Sequence, residues 1–343
     1  MEALLDKFGD PAVLMMAGAC VGIIFGIAAQ HSRFCLRGAT IELAQMQFGP
    51  RMATWLIAFC AAVVSVQAAI VLEFLDVAEA RQLSGIGSLS GAIIGGLMFG
   101  MGMILARGCA SRLLVLSATG NLRAIVTGLV LTLVAQASLR GVFAPIREYL
   151  AQLWVIDGGA SRSLLSQLGM SSTVVAAVAS FVLVAAVVLG VRAQVSISRI
   201  IASGFVGLAV GLGWILTYTI SQASFEVIAI SSVTFTGPSA DTLMGLVNST
   251  TIPMGFGVGL VPGVFVGAGA MALTTKEARI ERFGPGTPME RYLIGAVLMG
   301  FGSMLAGGCA VGAGMSGGAV FSITAWLAVF CMWISAMLTH RLV

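Results

Sequence analysis

Residues 94–110 read IGGLMFGMGMILARGCA, and residues 294–310 read IGAVLMGFGSMLAGGCA. The two stretches are offset by 200 with no gap, and nine of their 17 positions are identical. Glycine and alanine bias alone does not produce the shared L-A-x-G-C-A core, so the chain is read as an internal duplication. Each copy is apolar and closes a predicted membrane span. The copies end the third and the eighth span, five steps apart, so they cross in opposite senses. That is the arrangement of an inverted repeat. Inverted repeats with glycine-interrupted helices characterise transporters whose sites lie near the bilayer midplane.

Composition supports the membrane reading. Of 343 residues, 58% are hydrophobic and 9% are charged, whereas a soluble domain carries roughly 25% charged residues. The mean hydropathy is +1.03. A soluble monomer of this size could not cover its surface with so few charges, which argues against nucleic-acid binders, soluble nucleotide-fold enzymes and disulfide-stapled modules. Glycine, with 44 residues, is about twice its usual share. Small residues let membrane helices approach closely and permit broken helices and re-entrant turns.

Spans of about 20 apolar residues are predicted near 11–29, 52–74, 88–106, 123–143, 172–191, 199–219, 254–273, 290–306 and 319–340. The expected fold is an all-α polytopic membrane protein. It has about nine spanning helices, short re-entrant half-helices and an inverted internal repeat. Residues 1–150 form the first repeat, 151–195 the connecting span and 196–343 the second repeat, with about four spans in each repeat. Glu2, Asp6 and Asp10 surround a single Lys7, unlike the basic start of a cleavable signal, so the first span is expected to be retained. One set of alternate loops carries Lys7, Arg81, Arg140, Arg147 and Arg162; the other carries the remaining 13 of the 18 basic residues. The richer side is expected to be cytoplasmic, which puts the N-terminus outside and the C-terminus inside.

Six cysteines are present. Cys20, Cys60 and Cys331 sit among apolar residues and read as small buried hydrophobes. Cys109 and Cys309 end the duplicated motif, and two-fold placement would bring them together near the membrane centre. Gly108 and Gly308 beside them allow close backbone approach. Structural cysteines in a tight helix crossing are the alternative. Cys35 lies between Arg33 and Arg37, which would favour its thiolate if it were exposed or draw an anion to a pore mouth. Arg107 and Arg112 add cations near membrane depth, where arginine is costly and a functional candidate. An ordinary positive cytoplasmic loop is the alternative for these arginines.

The 14 carboxylates are expected in loops or at span ends, with Glu42 in the first cytoplasmic loop, so no mid-span pair is available to relay protons or hold Na⁺. Two cysteines without other ligands do not make a zinc site. No phosphate-binding lysine loop and no C-x-x-C motif is present. No metal, cofactor or enzymatic activity is expected. The residues alone point to an anion pathway lined by thiols and cations, and soft thiols suit a sulfur oxyanion.

The segments FCLRGA (34–39), LARGCASR (105–112), FGVGLVPGVFVGA (256–268) and LAGGCAVGAG (305–314) resemble the YeeE/YedE family of membrane transporters. The resemblance covers nearly the whole chain. It implies thiosulfate uptake across a bacterial inner membrane, through an inverted-repeat helical protein pinched at its centre where four short loops or half-helices converge. Cys109 and Cys309 match the family's central cysteines and Cys35 the cysteine of the first loop. Residues 256–268 match a third converging loop without cysteine. The implied mechanism passes thiosulfate along neutral thiols by S–H···S hydrogen bonds, with Arg37, Arg107 and Arg112 toward the cytoplasmic mouth. Membrane lipid is the implied surrounding, and a soluble sulfur carrier of the TusA type is an implied partner. Rival readings are another sulfur or selenium species, a membrane thiol oxidoreductase and an anchor for a sulfur carrier.

Overall fold

The computed structural model describes residues 2–248, 253–284 and 288–343, with side chains from Leu4 onward. The helices are α1 (Glu2–Phe8), α2 (Asp10–Ser32), α3 (Leu36–Ala44), α4 (Pro50–Val71), α5 (Arg81–Ser84), α6 (Leu89–Leu105), α7 (Ala110–Ala118) and α8 (Leu122–Arg140). They continue with α9 (Ala144–Gln152), α10 (Leu164–Leu168), α11 (Ser172–Arg192), α12 (Ile197–Ala223), α13 (Thr236–Asn248), α14 (Phe256–Thr274), α15 (Met289–Leu305) and α16 (Ile323–Leu342). A 3₁₀ turn spans Gly159–Arg162 and a π-helical turn spans Gly312–Gly317. Among the described residues the sole sheet pairs Gly87–Ser88 with Val155–Ile156.

Eight helical stretches, which take in every long helix except α15, are long and apolar enough to cross a membrane. Helix α15 has 17 residues, or about 25 Å at the α-helical rise. The nine long helices coincide with the nine spans expected from sequence. The protein is an all-α, multi-pass membrane protein.

Glycine sets how these helices meet. Gly18, Gly22 and Gly26 on α2 face the backbone of α14, and Gly259, Gly263 and Gly267 on α14 face the backbone of α2. A Cβ on Gly22 or Gly263 would strike a carbonyl oxygen of the opposite helix, Leu260 or Ala19. Without a hydrophobic drive between helices in lipid, such close backbone packing holds them together. The α6–α15 crossing is reciprocal: Gly95 meets Gly302, and Gly102 meets Gly295. The duplicated stretches therefore lie against each other.

The order long, short, long, long, short, long runs from α2 through α8, with α5 a single turn between α4 and α6. It recurs from α12 through α16, with the π turn in the second short place. The starts of α3 and α13 are 200 residues apart, as are the starts and ends of α6 and α15. Helix α11 stands outside this order. It packs chiefly on α4 and leaves Val178, Phe181 and Val184 exposed, as suits a lipid-facing surface.

Three expectations are corrected. Residues 256–268 are not a loop but the first two-thirds of helix α14, with Pro262 inside it. Their glycines serve helix packing rather than chain breaking, and a membrane helix tolerates the proline where neighbouring elements compensate. Glu42 is helical, on α3. Its two carboxylate oxygens accept the Arg51 and Met52 backbone N–H groups, which satisfies free donors at the start of α4. Cys60 and Cys331 are buried, but Cys20 is exposed, because the buried face of α2 is its glycine stripe.

Candidate functional site: paired cysteine turns

Helices α6 and α15 stop in the same way. The residue after each C-cap takes a left-handed conformation, Arg107 with φ 54° and Gly307 with φ 78°. The next N–H reaches back to the helix, from Gly108 to the Met103 carbonyl at 3.2 Å and from Gly308 to the Ser303 carbonyl at 2.9 Å. This closure turns the chain sharply and satisfies end carbonyls. It delivers Cys109 and Cys309 directly after the turn, each 1% exposed.

Gly312 N–H donates to Cys309 Sγ at 3.4 Å. Cys109 Sγ lies 3.3 Å from Ser111 Oγ. A sulfur that accepts from the backbone keeps its own S–H for another acceptor. Gly308 has no room for a side chain, since a Cβ would lie 2.8 Å from Ala313 N, whereas Gly108 meets nothing closer than Leu113 at 3.4 Å.

Cys35 caps α3 and is partly exposed. Cys35 and Cys309 are both electrostatic neighbours of Cys109. The structure thus brings together the three cysteines singled out in the sequence and separates them from Cys20, Cys60 and Cys331. All six are free thiols.

Arg37 is partly buried, and its electrostatic neighbours are Cys35, Arg107, Arg51 and Arg123. Arg51 lies across Gly38, where a Cβ would be 2.6 Å from its Cδ. Arg123 donates to the Ala106 carbonyl at 3.2 Å and sits 4.8 Å from the Tyr292 ring centroid. Arg107 is exposed and Arg112 partly buried. Nearby, Arg33 is paired with Glu277 at 2.9 Å, and Gln30 donates to the other Glu277 oxygen at 2.8 Å. The Arg33 hydrogen bond holds the Glu277 carboxyl below its usual range.

Two neighbouring features escaped sequence reading. Residues 224–235 run without helix into α13 and belong to the cysteine region. Ser316 Oγ donates to the Val233 carbonyl at 2.6 Å, and Thr234 abuts Gly312. The Phe235 ring lies 5.1 Å from that of Phe25, tilted by 52°. Position 235 lies 200 residues after Cys35, but FCLRGA and TFTGPS share no aligned identity, so nothing in the letters marked it. Arg162, only a loop charge in the sequence, is 8% exposed and donates to the Gly85 carbonyl at 2.7 Å and Thr324 Oγ1 at 2.9 Å. Burial lowers its pKa, and it clamps the connector onto the start of α16.

Among the described residues no group of His, Cys, Asp or Glu could hold a metal ion.

A family model described as sulphur transport matches residues 31–338. A thiosulfate transporter TsuA from Escherichia coli K12 is 25% identical over 347 residues, covering 95% of each chain. A thiosulfate transporter TsuA from Spirochaeta thermophila is 28% identical over 332 residues, covering 92% of this chain and 94% of its own. The match takes in all three clustered cysteines and both copies of the duplicated stretch, and on this span the chain belongs to the sulphur transport (YeeE/YedE) family of membrane proteins.

Proposed function

We propose that the protein imports thiosulfate across the inner membrane of a bacterium, past Cys35, Cys109 and Cys309. The observation that carries this reading is the placement of two buried thiols on matching turns, with the partly exposed Cys35 an electrostatic neighbour of Cys109. The names of the two relatives supply the substrate.

In this mechanism the terminal sulfur of thiosulfate accepts S–H hydrogen bonds from successive cysteines. The thiols stay neutral, because thiolates would repel a dianion. Each contact is weak, so the ion is passed on rather than trapped, as conduction requires. Gly308 keeps the Cys309 turn tight. Gly108, buried and in ordinary contact with Leu113, holds the other turn less tightly. Arg37, Arg107 and Arg112 line the exit and draw the anion off the thiols.

The two halves, residues 1–150 and 196–343, act as an inverted duplication joined by the span in 151–195. The charge bias of the loops supports an arginine-rich cytoplasmic side, an outer N-terminus and a cytoplasmic C-terminus. A TusA-like soluble carrier would meet the protein on that side. Transport needs no chemical step, so the protein is not an enzyme on this reading.

The deciding experiment is uptake of labelled thiosulfate into liposomes that hold the purified protein, with Cys309→Ala protein alongside. Uptake that disappears in the variant supports the pathway. Equal uptake by both proteins rejects it.

A further inference from the structure

Apart from Arg33, the arginines around Cys35 form a set with no ion-pair partner among the described residues. Arg37 has Arg51, Arg107 and Arg123 as electrostatic neighbours and no carboxylate among them. The three ion pairs among the described residues use Arg33, Arg147 and Arg279, so the cluster takes part in none. Glu42, beside Arg51, has both oxygens occupied by backbone N–H groups.

The hydrogen-bond inventory is incomplete at Arg37 and at Arg112, whose Cγ packs on Gly108 beside Arg107. Among the described residues, Arg37 Nε and Arg112 Nη1 are buried and have no acceptor. Buried polar groups ordinarily have partners, and a guanidinium N–H without an acceptor is a costly vacancy. The scaffold does not demand these side chains. Two hundred residues on, the positions of Arg37, Arg107 and Arg112 hold Gly237, Gly307 and Gly312. Arg107 also occupies a left-handed conformation that glycine fills at 307 and that disfavours any side chain.

We infer that Arg37, Arg51, Arg107, Arg112 and Arg123 form a binding site for an all-oxygen tetrahedral dianion, sulfate or hydrogenphosphate, which competes with the transported ion at this mouth. Guanidinium groups bind such oxyanions through paired N–H···O bonds. Arg51 and Arg107 are exposed, so the site opens to water. A dianion lacking a terminal sulfur gives the thiols no soft acceptor. It binds at the arginines without moving past Cys109 and Cys309, and it slows delivery of thiosulfate to that side. The competition rests on the transport reading above; the binding does not.

The test is calorimetric titration of sodium sulfate, and separately of sodium phosphate, into the purified full-length protein at low ionic strength. Wild type and Cys309→Ala should bind one dianion equally. Arg37→Gln and Arg112→Gln should each weaken binding by about tenfold or more, the scale of a charge-assisted hydrogen bond. Arg37→Lys, which keeps the charge, should fall between, and Arg140→Gln should match wild type. The two titrations tell which anion is preferred. No binding by wild type at millimolar concentrations of either salt, or undiminished binding in folded Arg37→Gln and Arg112→Gln proteins, overturns the site. In liposomes, sulfate on the arginine side should slow thiosulfate uptake. Uptake that depends on Cys309 but ignores sulfate rejects the competition alone. Sulfate binding without any thiosulfate uptake rejects the transport reading and leaves the site standing.

Discussion

The two cysteine turns share a backbone and differ in charge. The segments of Cys35 and Cys109 carry Arg37, Arg107 and Arg112. The positions 200 residues on hold Phe235 in place of Cys35 and Gly237, Gly307 and Gly312 in place of the arginines. The turn geometry, the burial of the thiol and the glycine crossing are common to both. The shared parts are those that place a thiol; the differing parts are those that act on a charge at a distance. A doubled scaffold can therefore hold two equivalent thiols and still give the pathway a direction, because Coulomb terms reach farther than packing does.

The largest effect should come from breaking what the halves share. Gly95→Leu and Gly295→Leu each drive a side chain into the backbone of the opposing helix, at Ala306 N and Ala106 N respectively. Both should abolish the folded protein to a similar degree, read as loss of a monodisperse peak on size exclusion. Gly128→Ala and Gly204→Ala, with open space around them, should raise stability by roughly 0.5–1 kcal/mol through helix propensity. A fold that tolerates one crossing leucine and not the other would show that the halves do not share a load.

Next in size is removal of the paired thiols. Cys109→Ala and Cys309→Ala should reduce thiosulfate uptake to the level of empty liposomes while both proteins stay folded. Cys60→Ala and Cys331→Ala should cost only about 1 kcal/mol of stability and leave uptake near wild type, as should Cys20→Ala. Loss of uptake in all five variants would end the distinction between pathway and packing cysteines.

The comparison can be sharpened by making the sides more alike. Position 307 has open space and the same left-handed backbone as Arg107. Gly307→Arg should fold with a cost of about 1–2 kcal/mol and slow uptake several-fold by trapping the anion before the thiols. Unchanged uptake would mean that the charge asymmetry does not set the rate.

The smallest effect should be at Glu277. Its pKa is lowered by Arg33, so its contribution is present above the unfolded carboxyl pKa, about 4.3, and is lost as pH falls through the lower folded value. The pair is exposed on both sides, which limits it to under about 1 kcal/mol. Glu277→Gln should lower the melting temperature slightly at pH 7 and narrow the difference from wild type under acid conditions. A constant difference at every pH would remove the electrostatic account of this contact.

Much of the fold was legible because hydrocarbon is an unforgiving solvent. Nine apolar runs had to become helices, since only internal hydrogen bonds satisfy a backbone in lipid. The repeated L-A-x-G-C-A core was legible because glycine and cysteine are rare enough in fixed order to register across 200 residues. For 256–268 the hydropathy reading, a span near 254–273, agrees with helix α14, whereas the loop implied by the family resemblance does not; glycines at four-residue spacing are compatible with either. The opposing backbone of α2 decided between them, and it is more than 200 residues away in sequence.

The sequence alone therefore determined the solvent of the protein, its helices and the repetition of the Gly-Cys-Ala motif at two helix ends. Those follow from local composition and from similarity between two segments. Only the tertiary structure decided that 224–235 runs against the π turn after Cys309, that Cys20 faces outward, that Arg162 is a buried clamp, and that Arg37 and Arg112 keep donors without acceptors among the described residues. Each of these depends on which distant backbone atoms close around a side chain, and burial and hydrogen-bond satisfaction are properties of that enclosure.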